Sequence, residues 1–427
     1  WLLSGHTEEA LRERAAQLHD YLTQHPDTDT DAIAKVLADG RAHLDHRAVI
    51  ATHTTHHLHQ ALHALAQGTP HPDLVQGNVQ PLGKTVFVFP GQGSQWDGMA
   101  THLLATQPVF ADHLTATAHA LQPHTGWNLI DILTGHPDTP PTNRVDIIQP
   151  ALFAVMTSLA TLWQHHGIHP DAVIGHSQGE IAAAYIAGAL TLHDAAKIVA
   201  LRSQTLLTLA GTGAMASIPL SPDDTTPHLT PYTDLHIAAH NGPHTTVIAG
   251  NPEELQHLVT TLNQHNIQAR TIPVDYASHT PHIHPLKQTI LDTLHDITPQ
   301  PSTITFYSTL TTTPLDTTQL TADYWYNNLA NPVLLHPTLH NLHHDGHTTY
   351  IETSPHPVLT TPLTDTLPDT LTTGTLRRHH GTTTRFHQSL AHLHTHGHPT
   401  HWHTPTPTTP PPTNLPTYPF QHHRYWL

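Results

Sequence analysis

Apolar residues recur at helical spacing in the first part of the chain. In the segment HTEEALRERAAQLHDYLTQHP they share one helix face: Ala10, Leu11, Ala15, Leu18 and Leu22. The run RAVIA at 47–51 indicates a strand, and HHLHQALHALAQG indicates a second helix that ends at Gly68. Residues 1–84 are therefore predicted to form a small α+β domain.

From residue 85 the pattern changes to apolar strands that alternate with helices. TVFVFP at 85–90 and DAVIG at 171–175 are short continuous apolar runs, which are typical of strands buried on both faces. The alternation favours an α/β fold with a parallel sheet. We expect an α/β-hydrolase-like large subdomain built from residues 85–211 and 277–378.

Residues 212–276 follow a different pattern. The segments GAMASIPL, LHIAAHNGPHTTVIAG, PEELQHLVTTLNQHNIQ and ARTIPV indicate strand, strand, helix and strand, as in an inserted ferredoxin-like α+β subdomain. In the tail, 379–427, the proline-rich HTPTPTTPPPTNLPTYPF favours an extended polyproline II chain. The aromatic end, YPFQHHRYWL, is expected to dock on a surface.

Composition and charge exclude several classes of function. The chain has 427 residues, a formal charge of −17, no cysteine and 48 histidines. A nucleic-acid binder would present a basic face, and without cysteine there is neither a disulfide nor a thiol nucleophile. No apolar run of about 18 residues is present, so no membrane span is expected. Because the first residue is Trp1, we expect a piece of a longer, cytoplasmic protein.

The segment VIGHSQGEIAAAYIAGAL carries the candidate chemistry. Its Gly-His-Ser-Gln-Gly, residues 175–179, lies between a predicted strand and a predicted helix, as in a nucleophile elbow. The glycines permit a sharp turn that exposes the hydroxyl of Ser177. The N–H of Gln178, at the helix N-terminus, can then stabilise an oxyanion. Histidines are too frequent for composition to identify the base.

Four motifs occur in order: FPGQGSQ at 89–95, GHSQGE at 175–180, GAMASI at 213–218 and YASH at 276–279. Through them the chain resembles, over nearly its whole length, the acyltransferase domain of a modular type I polyketide synthase. Such domains are akin to malonyl-CoA:acyl-carrier-protein transacylases. The resemblance implies that residues 1–84 are the linker from a ketosynthase and that 379–427 are the linker that follows the acyltransferase.

The resemblance also implies the catalytic roles. Ser177 is the nucleophile and His279 is the general base, without an acidic third member. Asn328 matches the family position whose backbone or side-chain carbonyl orients the imidazole. The backbone N–H groups of Gln92 and Gln178 form the oxyanion hole.

Arg202 has an implied role that a simple esterase does not need. In this family an arginine at this position grips the free carboxylate of the acyl-CoA, because its planar guanidinium pairs bidentately with a carboxylate. No bound cofactor is implied. The implied partners are an acyl carrier protein with its phosphopantetheine arm and the ketosynthase of the same polypeptide, with no nucleic acid and no membrane.

Local residues bear on the choice of acyl group. The family motif is typically Tyr-Ala-Ser-His for methylmalonyl and His-Ala-Phe-His for malonyl, and a small Ser278 after Tyr276 leaves room for a methyl group. Gln178 and the segment RVDIIQ at 144–149 also resemble the methylmalonyl type, and Met215 is expected to help set specificity. Methylmalonyl-CoA is the predicted substrate, while malonyl-CoA and bulkier extender units stay open, because one methyl group discriminates by only about 1–3 kcal/mol.

Other interpretations stay open as well. A serine hydrolase shares the elbow, and a non-catalytic docking module would use the linkers alone. The histidines at 53, 56, 57 and 59 have helical metal-ligand spacing, but no carboxylate or cysteine completes a site. For them, and for His422 and His423, no catalytic metal is predicted.

Overall fold

A computed structural model describes residues 1–137, 139–141, 143–404, 407–410 and 412–421. Contacts divide the chain into two compact units. Unit 1 comprises Trp1–Leu82, Trp163–Ile168 and Thr382–Leu427, and unit 2 comprises Gly83–Leu162 and His169–Gly381. The domain boundaries predicted from the sequence, at 84, 211, 276 and 378, stay predictions. The end of the predicted docking segment, 422–427, lies outside the described residues and includes His422 and His423.

The strands in chain order are β1 (Leu2–Gly5), β2 (His46–Ile50), β3 (Leu74–Asn78), β4 (Lys84–Phe89), β5 (Ala172–Gly175), β6 (Ala214–Ile218), β7 (Leu235–Gly242), β8 (Thr245–Gly250), β9 (Arg270–Ile272), β10 (Thr305–Tyr307), β11 (Val333–Leu334), β12 (His347–Glu352) and β13 (Leu371–Gly374).

The α-helices in chain order are α1 (Glu8–Gln24), α2 (Thr30–Asp39), α3 (Thr55–Gln67), α4 (Thr101–Thr106), α5 (Pro108–Leu121), α6 (Leu129–Thr134), α7 (Val145–His165), α8 (Gly179–Ile186), α9 (Leu192–Leu206), α10 (Pro222–Leu229), α11 (Pro252–Gln264), α12 (Lys287–Thr293), α13 (Ala322–Ala330), α14 (Leu335–His344), α15 (Thr360–Thr366) and α16 (Thr383–Thr395).

Unit 1 contains the α+β arrangement that the sequence predicts. The strands β1, β2 and β3 form an antiparallel sheet in that order. The side chain of Thr7 caps α1 by accepting from the N–H of Ala10 at 3.2 Å. Helix α3 ends at Gly68, whose φ of 67° is the left-handed conformation that favours glycine at a helix end.

The prediction of an extended chain over 379–427 is wrong for its first part, which contains α16. The hydroxyl of Thr382 caps this helix by accepting from the N–H of Arg385 at 3.2 Å. Phe386, Leu390 and Leu393 are buried at helical spacing. The helix forms because this stretch has no proline and carries an apolar stripe, whereas the described residues 403–404, 407–410 and 412–421 contain neither helix nor strand.

The large sheet of unit 2 confirms the predicted parallel α/β core. Its strand order is β10-β5-β4-β12-β13, and each neighbouring pair is parallel. Strand β4 is buried on both faces, and Val86–Phe89 have no exposed surface. Because the strands run in one direction, the loops that follow β4, β5 and β12 lie at the same sheet edge.

The small sheet of unit 2 has the ferredoxin-like βαββαβ order β6-α10-β7-β8-α11-β9. In space the strands run β11-β7-β8-β6-β9, with β7, β8, β6 and β9 antiparallel. The sequence analysis missed α10, whose proline content obscures its cap at Ser221. The fifth strand, β11, pairs with β7 from outside the insert.

Helix α7 is long and apolar enough to cross a membrane by composition. Of the residues in its apolar stretch, 94% are buried inside the protein. This burial is typical of a core helix. The sequence analysis did not detect an apolar run here because Gln149, Pro150 and several polar residues lie between the apolar residues of the helix.

Candidate active site

The nucleophile elbow is formed by the junction of β5 and α8. Ser177 has a φ of 56°, a conformation that L-residues adopt rarely and that is typical of a nucleophile elbow. A Cβ on Gly175 would lie 2.1 Å from the backbone N of Glu180, and a Cβ on Gly179 would lie 2.1 Å from the carbonyl oxygen of Phe89. Both positions therefore require glycine, and the turn holds Ser177 at the sheet edge.

The predicted base lies beside the nucleophile. Ser177 Oγ and His279 Nε2 are 2.7 Å apart, although 102 residues separate them in the sequence. His279 Nδ1 lies 2.9 Å from the backbone carbonyl oxygen of Asn331. Because a carbonyl only accepts, Nδ1 carries the proton and Nε2 presents its lone pair to the hydroxyl.

The surroundings of His279 keep its imidazole neutral. Burial is the largest effect, and the charges of His176 and Arg202 act in the same direction, so that the pKa of His279 is lowered to about 3. A histidine that is neutral at physiological pH is ready to accept the serine proton.

The orientation of His279 requires a correction to the sequence prediction. The predicted acceptor of the Nδ1 proton is a backbone or side-chain carbonyl of Asn328, but the hydrogen bond is made to the backbone carbonyl of Asn331. The backbone carbonyl of Asn328 has only a weaker effect on the pKa of His279. The carboxamide of Asn328 is already occupied, because its Oδ1 accepts from Arg202 Nη2 at 2.8 Å and its Nδ2 donates to Glu180 Oε2 at 2.8 Å.

Arg202 lies in helix α9 and is only 1% exposed. Its Nε and Nη1 atoms are buried and have no hydrogen-bond partner among the described residues. Burial lowers its pKa to about 10, which leaves the guanidinium charged at neutral pH. A buried cation with two unsatisfied donors is costly unless an anion completes it.

A cavity of about 180 Å³ opens beside the dyad. Besides Ser177 and His279, five of the predicted site residues line it: Gln92, Gln178, Met215, Tyr276 and Ser278. Arg202 and Asn328 are not among the lining residues. Asn328 Nδ2 lies 3.4 Å from the carbonyl oxygen of Ser177, so the guanidinium is linked to the backbone of the nucleophile through one amide.

The two predicted oxyanion donors lie in loops after adjacent strands. Gln92 follows β4 and Gln178 follows β5, and Phe89 is paired with Gly175 in the register of these strands. Among the described residues, neither backbone N–H has a protein acceptor. The side-chain Nε2 and Oε1 of Gln178 are also buried without a partner.

A chain of polar side chains forms one wall of the cavity. Gln149 Nε2 donates to the hydroxyl of Tyr276 at 3.3 Å, and that hydroxyl donates to Gln92 Oε1 at 3.2 Å. Burial raises the pKa of Tyr276 to about 12, so the phenol stays protonated. On another side, Ser278 Oγ lies 3.6 Å from the sulfur of Met215.

Sequence reasoning missed several residues of the site. His176 Nε2 lies 2.8 Å from Asn241 Oδ1, and both residues line the cavity. Val358 and Leu359 also line it, and their backbone N–H groups donate to the buried carboxylate of Glu352 at 2.7 and 2.8 Å. The sequence contained a signal for both contacts. Asn241 lies in the apolar strand β7 and Glu352 ends the buried strand β12, and polar side chains in such strands require hydrogen-bond partners.

The histidine pattern of α3 does not form a metal centre. Within the described residues, no group of three or more His, Cys, Asp or Glu side chains is placed to hold a metal ion. His57 instead lies 3.0 Å from Asp73, and His53 contacts the hydroxyl of Thr384.

Comparisons with known proteins agree with this geometry. The family described as "Acyl transferase domain" matches residues 86–399, and "CurL-like, PKS C-terminal" matches residues 1–62. The chain is 46% identical over 437 residues to polyketide synthase GfsA of Streptomyces halstedii, covering 100% of the chain and 6% of that protein. It is 42% identical over 433 residues to pikromycin polyketide synthase component PikAIII of Streptomyces venezuelae, covering 100% of the chain and 27% of that protein.

Solved structures give the same result. The acyltransferase domain from module 8 of the salinomycin polyketide synthase aligns with a TM-score of 0.90 and 42% identity over 94% of this chain and 96% of that one. A loading acyltransferase of the avermectin synthase aligns with a TM-score of 0.71 and 45% identity over 73% of this chain and 99% of that one. The chain belongs to the acyltransferase domains of modular type I polyketide synthases, and it spans a small part of the synthases it matches.

The lowered pKa of His279 predicts an unusual pH profile for acylation. Since the folded-state pKa is about 3 rather than the ordinary 6.5, the neutral base persists as the pH falls through 6.5. The rate of CoA release in a single turnover should therefore keep its plateau from about pH 8 to about pH 5. Circular dichroism at each pH controls for unfolding. A half-maximal rate near the ordinary histidine pKa, with the fold intact, would contradict this assignment.

Proposed function

We propose that this domain selects methylmalonyl-CoA and transfers its acyl group, through an ester on Ser177, to the phosphopantetheine thiol of an acyl carrier protein. The carrier protein and a ketosynthase of the same polypeptide are its partners. The observation that carries the proposal is the buried Arg202, whose Nε and Nη1 have no hydrogen-bond partner among the described residues, in a domain where Ser177 and His279 form a dyad.

In the first half-reaction Ser177 Oγ attacks the thioester carbonyl while His279 Nε2 takes its proton. The N–H groups of Gln92 and Gln178 have no acceptor in the described part of the chain and can bind the oxyanion, where each such donor contributes about 10²–10³ in rate. Collapse of the tetrahedral intermediate expels the CoA thiolate, which receives the proton from His279. The Asn331 carbonyl holds the imidazole in one tautomer throughout.

In the second half-reaction the carrier thiol replaces CoA. His279 takes the thiol proton, the sulfur attacks the O-acyl ester, and the proton returns to Ser177 Oγ as the ester bond breaks. The reaction is a transfer rather than a hydrolysis only if water is kept away from the ester. The small volume of the cavity, about 180 Å³, and the apolar lining residues Val247, Ile272 and Leu329 support such exclusion.

The preference for a 2-methyl group is supported by the small Ser278. Its side chain lines the cavity beside Met215, and a phenylalanine at this position would occupy the space that a C2 methyl group needs. The Tyr276 hydroxyl is hydrogen-bonded to Gln149 and to Gln92, which holds this part of the cavity lining in place.

Intact-protein mass spectrometry tests the overall function. After exposure to methylmalonyl-CoA, the protein should gain one methylmalonyl group on Ser177, and the group should move to an added holo-acyl carrier protein. The Ser177→Ala variant is the control and should gain nothing. Rapid release of free methylmalonate without a carrier would indicate a hydrolase, and no adduct at all would indicate a docking module.

Removal of Arg202 should reduce the use of carboxylated substrates selectively. We expect Arg202→Ala to lower kcat/KM for methylmalonyl-CoA by about 30-fold or more, because a buried partner of the substrate charge is lost. Loading of propionyl-CoA, which lacks the carboxylate, should change much less. Arg270→Ala is the matched control, since Arg270 is exposed. Equal losses for both substrates in a competition assay would refute the role of Arg202.

Filling the space beside Met215 should shift selectivity toward malonyl-CoA. For Ser278→Phe combined with Tyr276→His, the ratio of kcat/KM for methylmalonyl-CoA over malonyl-CoA should fall about tenfold or more, as expected for exclusion of one methyl group. Tyr276→Phe keeps the ring volume and serves as the control. If the double variant keeps the wild-type ratio, the cavity does not select by volume at Ser278.

A further inference from the structure

Glu180 is a buried carboxylate next to the active site that the mechanism above does not use. It lies three residues after Ser177, in the first turn of α8, and has no exposed surface. Its sequence position suggests only a favourable charge at a helix N-terminus. Complete burial of a carboxylate is costly, however, and requires specific partners.

Four hydrogen-bond donors surround this carboxylate. Oε1 accepts from the backbone N–H of Thr309 at 2.6 Å and from its hydroxyl at 2.7 Å. Oε2 accepts from the hydroxyl of Tyr324 at 2.6 Å and from Asn328 Nδ2 at 2.8 Å. Burial raises the pKa of Glu180, and these donors oppose the shift. The backbone N–H of Thr309 can only donate, and the other three groups donate as well, so this set of hydrogen bonds favours the ionised form.

The orientation of the Asn328 amide follows from its two neighbours. Its Nδ2 faces the carboxylate of Glu180, and its Oδ1 accepts from Arg202 Nη2 at 2.8 Å. A reversed amide would place its NH₂ group against the guanidinium and its oxygen against the carboxylate. Glu180 therefore determines that an acceptor, rather than a donor, faces Arg202.

Glu180 and Arg202 do not form a direct ion pair in the described part of the chain. The amide of Asn328 lies between them, and the negative charge of Glu180 favours the charged state of Arg202 from a distance. A direct carboxylate–guanidinium pair would occupy the donors that a substrate carboxylate needs. The intervening amide instead occupies Nη2 alone, and Nε and Nη1 have no partner among the residues that the structure describes.

We infer that Glu180 and Asn328 are positioning residues that hold Arg202 by one nitrogen and reserve its remaining donors for the substrate carboxylate. Neither residue contacts the substrate. The inference rests on the proposed function, because it assumes that a carboxylated acyl-CoA is the substrate.

A purely structural role for the same residues predicts a different result. If Glu180 and Asn328 only stabilise the fold, their replacement lowers the amount of active enzyme and affects every acyl-CoA equally. If they position Arg202, the loss falls on substrates that carry a carboxylate. The ratio of kcat/KM for methylmalonyl-CoA over propionyl-CoA, measured on one preparation, separates the two cases because the concentration of active enzyme cancels.

The experiment compares the full chain with Glu180→Gln, Asn328→Ala and Asn327→Ala. In Glu180→Gln the new NH₂ group can face Asn328, whose amide then turns its own NH₂ group toward Arg202. In Asn328→Ala the hydrogen bond from Arg202 Nη2 to the amide oxygen is removed. Asn327→Ala is the matched control, because Asn327 is the exposed neighbour on the same helix. CoA release from each acyl-CoA is measured, and a thermal melt of each variant records its folding.

We expect Glu180→Gln and Asn328→Ala each to lower the ratio by about tenfold or more, the usual effect of losing a hydrogen bond to a charged group. Asn327→Ala should keep the wild-type ratio. Unchanged ratios in both test variants, together with a collapsed ratio in Arg202→Ala, would overturn the positioning role alone. If the wild-type protein had nearly equal kcat/KM values for methylmalonyl-CoA and propionyl-CoA, the proposal of a carboxylated substrate would be wrong, and the positioning role would be wrong with it.

Discussion

The active site depends on the parallel pairing of β4 with β5. The register places Phe89 opposite Gly175, and the N–H of His176 donates to the carbonyl of Phe89 at 2.8 Å. This pairing brings the elbow so close to β4 that a Cβ on Gly179 would overlap the same carbonyl. Two loops distant in sequence are thereby held side by side, one with Ser177 and the other with Gln92. A shift of one residue in this register would separate them.

Burial has opposite consequences for the two basic groups near Ser177. It disfavours the charged form of both, yet His279 becomes neutral while Arg202 stays charged. The difference follows from the ordinary pKa values, since a similar environment moves histidine far below neutrality but leaves arginine above it. The charge of Arg202 also helps to keep His279 neutral. A neutral imidazole and a charged guanidinium therefore coexist in one buried region.

Much of this arrangement could be predicted from the sequence. The apolar runs predicted the parallel sheet, and the Gly-His-Ser-Gln-Gly turn predicted the elbow because its glycines meet a steric requirement that no other residue satisfies. The identity of the base could not come from spacing in a chain with 48 histidines, and only the resemblance to a family singled out His279. Helix α16 was missed because the composition of the whole tail concealed a short stretch with an apolar stripe.

The error at Asn328 has a more general cause. A backbone carbonyl is present at every residue, so a side-chain type cannot reveal which carbonyl orients the imidazole, and here it is that of Asn331. The amide of Asn328 serves a different contact, because an Asn can accept from a cation on one side and donate to an anion on the other. That dual capacity explains why an Asn side chain lies between Glu180 and Arg202.

The elements that surround the proposed acyl group have separate origins in unit 2. Arg202 on α9 donates to Asn328 on α13, and Asn328 in turn donates to Glu180 on α8. Met215 on β6 and Ser278, after β9, line the cavity in which the methyl group is proposed to lie. No described hydrogen bond links Ser278 or Met215 to the Glu180 network. Under the proposed function, a change of volume at Ser278 would therefore alter selectivity for the C2 substituent without removing a hydrogen bond of Arg202, Asn328 or Glu180.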